Sequence, residues 1–120
     1  MNLADSSVWI EHLRKPDAAF SRLLALQQIL VHPFVVGELL LGNLKEREKF
    51  IAELALQPAA KKARDGDVLE LIENNTLFGK GIGYIDAHLL ASAKICNAKI
   101  MTRDKRLYAA AINLGLADMF

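Results

Sequence analysis

Residues 1–10 read MNLADSSVWI. Met1 to Asp5 is a short apolar run that ends in an acid, which predicts a strand. Ser6 or Ser7 then offers a hydroxyl to cap a helix reaching about Arg14. Residues 99–107, KIMTRDKRL, follow the same plan. Lys99 to Thr102 predicts a strand, and Asp104 opens a helix through Leu107 and Ala111. A strand that passes at once into a helix is half of a βα unit. Two such units in one chain imply a parallel sheet covered by helices.

The stretch between them reads mostly as helix. Asp17 is placed to cap a helix carrying Phe20, Leu23, Leu24 and Gln27 or Gln28 at helical spacing. Val31-His32 predicts a brief extended segment. Pro33 sits where a helix start tolerates proline, and the helix it opens carries Val35, Glu38, Leu39 and Leu41 before Gly42-Asn43 ends it. Lys45 to Leu56 predicts a fourth helix. Asp65 or Asp67 begins a fifth, with Val68, Leu69, Leu71 and Ile72 on its apolar side. Gly79, Gly81 and Gly83 mark a flexible connection into a sixth helix, Tyr84 to Cys96, which is expected to bury Ile85, Leu89, Ala93 and Cys96. Leu116 to Met119 is placed to close the sheet. The prediction is an α/β fold, a three-layer α/β/α arrangement around a central, mainly parallel sheet, with residues 1–120 as a single domain. In such folds ligands bind at the carboxyl ends of the strands.

Composition narrows the function. The chain has 120 residues, 52% hydrophobic and 24% charged, which is ordinary for a globular domain. No apolar stretch approaches the roughly 20 residues of a membrane helix. The N-terminus carries Asp5 and no basic segment, unlike a secretory signal, so a cytoplasmic protein without membrane attachment is expected. The single cysteine, Cys96, excludes an internal disulfide, and three scattered histidines do not supply a zinc site. A net charge of +1 gives no general attraction for nucleic acid, so any such argument needs local charge.

Four of the fourteen acids stand apart. Asp5 ends a strand. Glu38, in PFVVGELLLG, has apolar neighbours on both sides and is expected to be substantially buried, where a carboxylate needs a partner or a shifted pKa. Asp86 begins a helix, and Asp104 follows a strand. Taken singly, Asp5, Asp86 and Asp104 also serve as helix caps, and Glu38 as half of a salt bridge. Taken together, four converging carboxylates repel unless a cation joins them. Oxygen ligands suit Mg²⁺ or Mn²⁺, which bind phosphates as well and activate water.

At these four places the chain resembles the PIN-domain ribonucleases, and within them the VapC-type toxins of type II toxin–antitoxin pairs. LADSSVWI resembles the opening strand of that family with Asp5; HPFVVGELLLGNL resembles its second motif, with Glu38 and Gly42 in an E-x-x-x-G pattern; GIGYIDAHLLASA resembles the third, with Asp86; and IMTRDKRL resembles the fourth, with Thr102 and Asp104. The departures are small: Ser6 where the family often has Thr, and Tyr84 where close relatives often carry Trp. The resemblance covers nearly the whole chain. It implies that Asp5, Glu38, Asp86 and Asp104 bind the metal, Mg²⁺ or Mn²⁺, and that Ser6 or Ser7 and Thr102 support them by hydrogen bonds. It implies metal-dependent cleavage of RNA by an activated water, a homodimer, and a cognate antitoxin that inserts a tail near the active site.

Arg103, Lys105 and Arg106 flank Asp104, within reach of an RNA backbone or an antitoxin if Asp104 is at the site. Lys61, Lys62 and Arg64 read as a solvated loop. His88 lies two positions from Asp86, so on a helix the two point apart and His88 is structural, as are His12 and His32. The run GKGIG at residues 79–83 lacks the spacing of a phosphate-binding loop and reads as a hinge. Trp9, Phe34 and Phe50 fall on apolar helix faces, although Trp9 is also placed to face a partner. Two other functions remain. An aspartyl-phosphate phosphatase would use Asp5 as nucleophile, but needs an acid where Ser7 stands. A non-catalytic module would keep the acids only to bind a metal or a protein.

Overall fold

The computed structural model describes residues 1–118. Its centre is a sheet of three parallel strands, β1 (Asn2–Ala4), β2 (Ile29–Leu30) and β3 (Lys99–Met101), in the order β2-β1-β3. Leu3 pairs with Leu30 on one side and with Ile100 on the other. All three of these residues, with Ala4 and Ile29, are buried, because a central parallel sheet has neither face in water. Since the strands run in one direction, their carboxyl ends share one edge. The Asp5 N–H donates to the Met101 carbonyl (3.0 Å), which carries the β1–β3 ladder one residue past the strands and fixes Asp5 at that edge.

Seven helices flank the sheet: α1 (Ser6–Arg14), α2 (Ala18–Ala25), α3 (Pro33–Leu40), α4 (Arg47–Ala55), α5 (Asp65–Asn74), α6 (Tyr84–Cys96) and α7 (Lys105–Asn113). α1 and α6 pack on β1, α6 and α7 pack on β3, and α1 also packs on α3. This is the α/β fold the sequence predicts. Pro33 occupies the first turn of α3, where its missing N–H costs nothing, and the His32 Nδ1 accepts the Phe34 N–H (3.0 Å) as the cap. Trp9 is 1% exposed and meets Phe20 and Phe50 edge-on, at centroid distances of 5.1 and 5.9 Å, so it belongs to the core and not to a partner surface.

The structure departs from the sequence reading in several places, among them the cap of α1, which is Asp5 and not Ser6 or Ser7, and Leu69 of α5, which is exposed. The second strand is Ile29–Leu30, with Val31 only bridging Ala59; Gln27, at φ 54°, turns the chain out of α2 two residues earlier than the apolar pattern suggests. Leu116–Asp118 forms no strand: the Leu116 carbonyl accepts the Ile100 N–H, but the chain has just left α7 through Gly115 at φ 71°. Met119, the end of that predicted strand, lies outside the described residues. The cap of α5 is Arg64, with Asp65 and Asp67 inside the first turn, where they meet unpaired N–H groups. In α6 the buried stripe is Ala87 to Ala93, and Ile85 is exposed.

Candidate active site: an acid cluster at the carboxyl edge of the sheet

Asp5 is the anchor. It caps α1 with its backbone still extended, and it is 6% exposed. One carboxylate oxygen accepts the Ser7 hydroxyl (2.5 Å) and the Val8 N–H (3.2 Å); the other accepts the Thr102 hydroxyl (2.5 Å). Each hydroxyl also accepts a backbone N–H from beyond β3: Ser7 Oγ takes that of Arg103 (2.9 Å) and Thr102 Oγ1 that of Asp104 (3.0 Å). Two short relays therefore tie the end of β1 to the end of β3 through one buried carboxylate. Of the two serines proposed from sequence as supports, Ser7 contacts Asp5, while Ser6 hydrogen-bonds Glu38 and offsets part of the rise in its pKa.

Asp104 caps α7 and is exposed, accepting the N–H groups of Arg106 (2.8 Å) and Leu107 (3.1 Å) on one oxygen. Asp86 lies in the first turn of α6, half-buried, and accepts the Gly83 N–H (3.2 Å). Its carboxyl is pushed above the ordinary value, first by burial and then by the charges of Asp104 and Asp5. Glu38 projects from α3 and is exposed, not buried as its apolar neighbours in sequence suggest. The buried stripe of α3 is Val35 and Leu39; Glu38 sits a helical step to the side, on the wall of a cleft shared with Asp5, Ser6, Tyr84 and Asp86. Its carboxyl is also raised, by the partial loss of water in that cleft, then by Asp86 and Asp5. Four segments of the chain thus bring Asp5, Glu38, Asp86 and Asp104 close enough to act on one another.

Among the described residues, no three Asp, Glu, His or Cys side chains stand close enough to enclose an ion. The donor set still fits a hard cation. Mg²⁺ keeps several waters and needs only one or two carboxylates, and the cluster is all oxygen and short of positive charge. Arg103, Lys105 and Arg106 are exposed beside Asp104, but they diverge. Arg103 lines a separate cavity with Phe20 and Tyr108, whereas Arg106 lies over Gly81.

His32 and His88 are wholly buried and 6.5 Å apart between ring centroids. Burial first, then His88 and Lys62, lowers the His32 pKa to about 4, so it is a neutral cap at physiological pH. His88 packs against Phe34 and Tyr84, outside the acid cleft. Phe34 itself is half-buried, with the Lys62 ammonium 4.7 Å above its ring. Sequence reasoning missed two participants. The Gly83 N–H that holds Asp86 is legible only as a glycine three residues before an acid. The contact between Gly81 and Arg106 spans separate segments and carries no local signal.

Fold and cluster together define an α/β/α domain with an acid-lined cleft at the carboxyl edge of its sheet. The PIN domain family model matches residues 3–113. Ribonuclease VapC32 of Mycobacterium tuberculosis, in strains CDC 1551 / Oshkosh and ATCC 25618 / H37Rv, is 42% identical over 118 residues, 98% of this chain and 95% of the relative. The chain belongs to the PIN-domain family, in its VapC-type ribonuclease branch. The crystal structure of PAE2754 from Pyrobaculum aerophilum superimposes with a TM-score of 0.66 over 93% of this chain and 80% of that one, at 14% identity, a likeness of fold.

Proposed function

We propose that this chain is a metal-dependent endoribonuclease, the toxin of a toxin–antitoxin pair, and that residues 1–120 act as one domain. The observation that carries the reading is the convergence of the four acids: Glu38 and Asp86 both resist ionisation, first through burial and then through neighbouring charge, that of Asp86 and Asp5 on Glu38 and that of Asp104 and Asp5 on Asp86. An uncompensated carboxylate cluster is costly, and a site that binds a cation is a reason to keep one. Asp5, Glu38, Asp86 and Asp104 would hold Mg²⁺ or Mn²⁺, which when bound supplies a polarised water and positive charge for a phosphodiester. Asp5, fixed by Ser7 and Thr102, orients the site. Glu38, open to the cleft and with a raised proton affinity, would take the proton of the attacking water and return it to the leaving oxygen as the P–O bond breaks. A cognate antitoxin silences the enzyme, which works as a homodimer in the cytoplasm; membership of the VapC-type branch supports the antitoxin. The phosphatase reading weakens, because Ser7 stands where its second acid belongs and is spent on Asp5.

The test is cleavage of a broad RNA pool by the antitoxin-free chain in Mg²⁺, in Mn²⁺ and in EDTA, beside Glu38→Gln. Cleavage in metal, none in EDTA, and a loss of about 100-fold or more in the variant are expected. A wild-type chain that binds Mg²⁺ but leaves all RNA intact would be the non-catalytic module instead.

A further inference from the structure

We propose that Gly81 is a seat for Arg106, and that the seated guanidinium is the cation that holds the RNA backbone beside the acid cluster. The proposal rests on the nuclease reading above and singles out one residue from the basic triplet Arg103, Lys105 and Arg106. The GKGIG segment at residues 79–83 contains three glycines, and only one of them is needed for space. A Cβ built on Gly81 would stand 2.6 Å from Arg106 Nη1, 2.7 Å from its Cδ and 3.0 Å from its Cζ. A Cβ on Gly79 or Gly83 meets nothing within 4 Å. Gly79 and Gly81 share a positive φ, 72° and 78°, so backbone conformation does not distinguish them; the side chain from α7 does.

The seat joins the two segments that hold Asp104 and Asp86. Arg106 donates its backbone N–H to Asp104, and Gly81 is two residues from Gly83, whose N–H holds Asp86. The guanidinium forms no ion pair with any described carboxylate, since the pairs present are Arg14–Glu11, Arg64–Asp67, His88–Asp65 and Lys99–Asp118. A cation is therefore held in place, exposed and unpaired, next to a cleft whose own charge repels a phosphodiester. The planar fork of Arg matches phosphate oxygens, and a stem already laid on Gly81 loses less freedom on binding. Arg103 lacks this placement, since it lines the cavity of Phe20 and Tyr108.

The experiment compares Arg106→Ala, Arg106→Lys, Gly81→Ala, Gly79→Ala and Arg106→Ala/Gly81→Ala with the wild type. It reads cleavage kinetics in Mg²⁺, the salt dependence of binding to a single-stranded RNA in EDTA, and melting temperature. Arg106→Ala is expected to raise KM about 10-fold with kcat little changed. It should also lower the slope of log Kd against log salt by about 0.7, one phosphate contact. Arg106→Lys recovers the slope but only part of the affinity. Gly81→Ala matches Arg106→Ala, and the double variant is no worse. Gly79→Ala, with the same backbone strain and no side chain above it, binds RNA as the wild type does. Wild-type cleavage with an unaltered KM and slope in Arg106→Ala would overturn this inference alone, as would Gly81→Ala behaving like Gly79→Ala. A wild-type chain that neither binds nor cleaves RNA would overturn the nuclease reading and this inference with it.

Discussion

Asp5 and Glu38 belong to one cluster and live under opposite constraints. Asp5 is buried and accepts from Ser7, Val8 and Thr102, so its removal strands three donors at the junction of β1 and β3. Asp5→Ala is expected to lose about 2–3 kcal/mol of stability, readable by urea denaturation, and its inactivity would then say little about chemistry. Glu38 has no such duty, which makes Glu38→Gln the cleaner probe. Its pH dependence has a definite sign. The carboxyls of Glu38 and Asp86 bind a proton more tightly in the folded chain than in the unfolded one. Below the usual carboxylate range both states are protonated and nothing is lost. As pH rises between that range and the raised values, the folded state holds more protons, so stability falls; above them the deficit is constant. Metal-free Glu38→Gln and Asp86→Asn should therefore melt above the wild type at pH 7 and together with it near pH 3. Variants that melt below the wild type at pH 7 would mean the acids are not strained. The sequence marks Glu38 as unusual but misplaces it: apolar neighbours at adjacent positions suggest burial, whereas on a helix they point elsewhere.

α7 begins with a residue that has two jobs. Asp104 caps the helix through Arg106 and Leu107 and also raises the Asp86 carboxyl. The jobs separate by substitution. Asp104→Asn keeps an acceptor at the cap and removes the charge; it should stay within a few tenths of a kcal/mol of wild-type stability and lose metal-dependent cleavage. Asp104→Ala should lose cleavage and about 1 kcal/mol as well. Equal cleavage by the wild type and Asp104→Asn would remove Asp104 from the chemistry and leave it a cap. Helix starts of this kind are what the sequence displays best: Asp5, Asp17 and Asp104 each precede a helix and each caps it. The strands are displayed poorly, because β2 has two residues and β1 and β3 three each. In QQILVH the apolar pattern does not say which pair will meet Asn2 and Leu3; that is settled by the distant strand and by the turn at Gln27. Asp5, Asp86 and Asp104 were legible because each sits at a helix start, where local sequence speaks, whereas Glu38, inside α3, was legible only as an acid in an apolar run. The Arg106–Gly81 contact was not, because it joins two segments that meet only in the folded chain.

The cluster also couples the stability of the fold to cations. The chain carries a net charge of +1, so general accumulation of counter-ions has little to relieve. The repulsion is local, at the one edge where Asp5, Glu38, Asp86 and Asp104 meet, and unfolding disperses those four residues along the chain. A divalent cation should therefore bind the folded state and not the unfolded one, and stabilise it by mass action. At a concentration 100 times its dissociation constant the gain is about 2.7 kcal/mol, or about 10 °C in melting temperature for a domain of this size. Screening by salt would also ease the repulsion, so the comparison is Mg²⁺ against NaCl of equal ionic strength. Most of the shift should vanish in Asp86→Asn, which removes a charge from the middle of the set, and should persist in Gly79→Ala, which lies outside it. A shift that NaCl reproduces, or that Asp86→Asn retains in full, would place the cation elsewhere and leave the acids without their counter-charge. Because this readout needs no RNA, it tests the cation site even for an enzyme whose substrate is narrow.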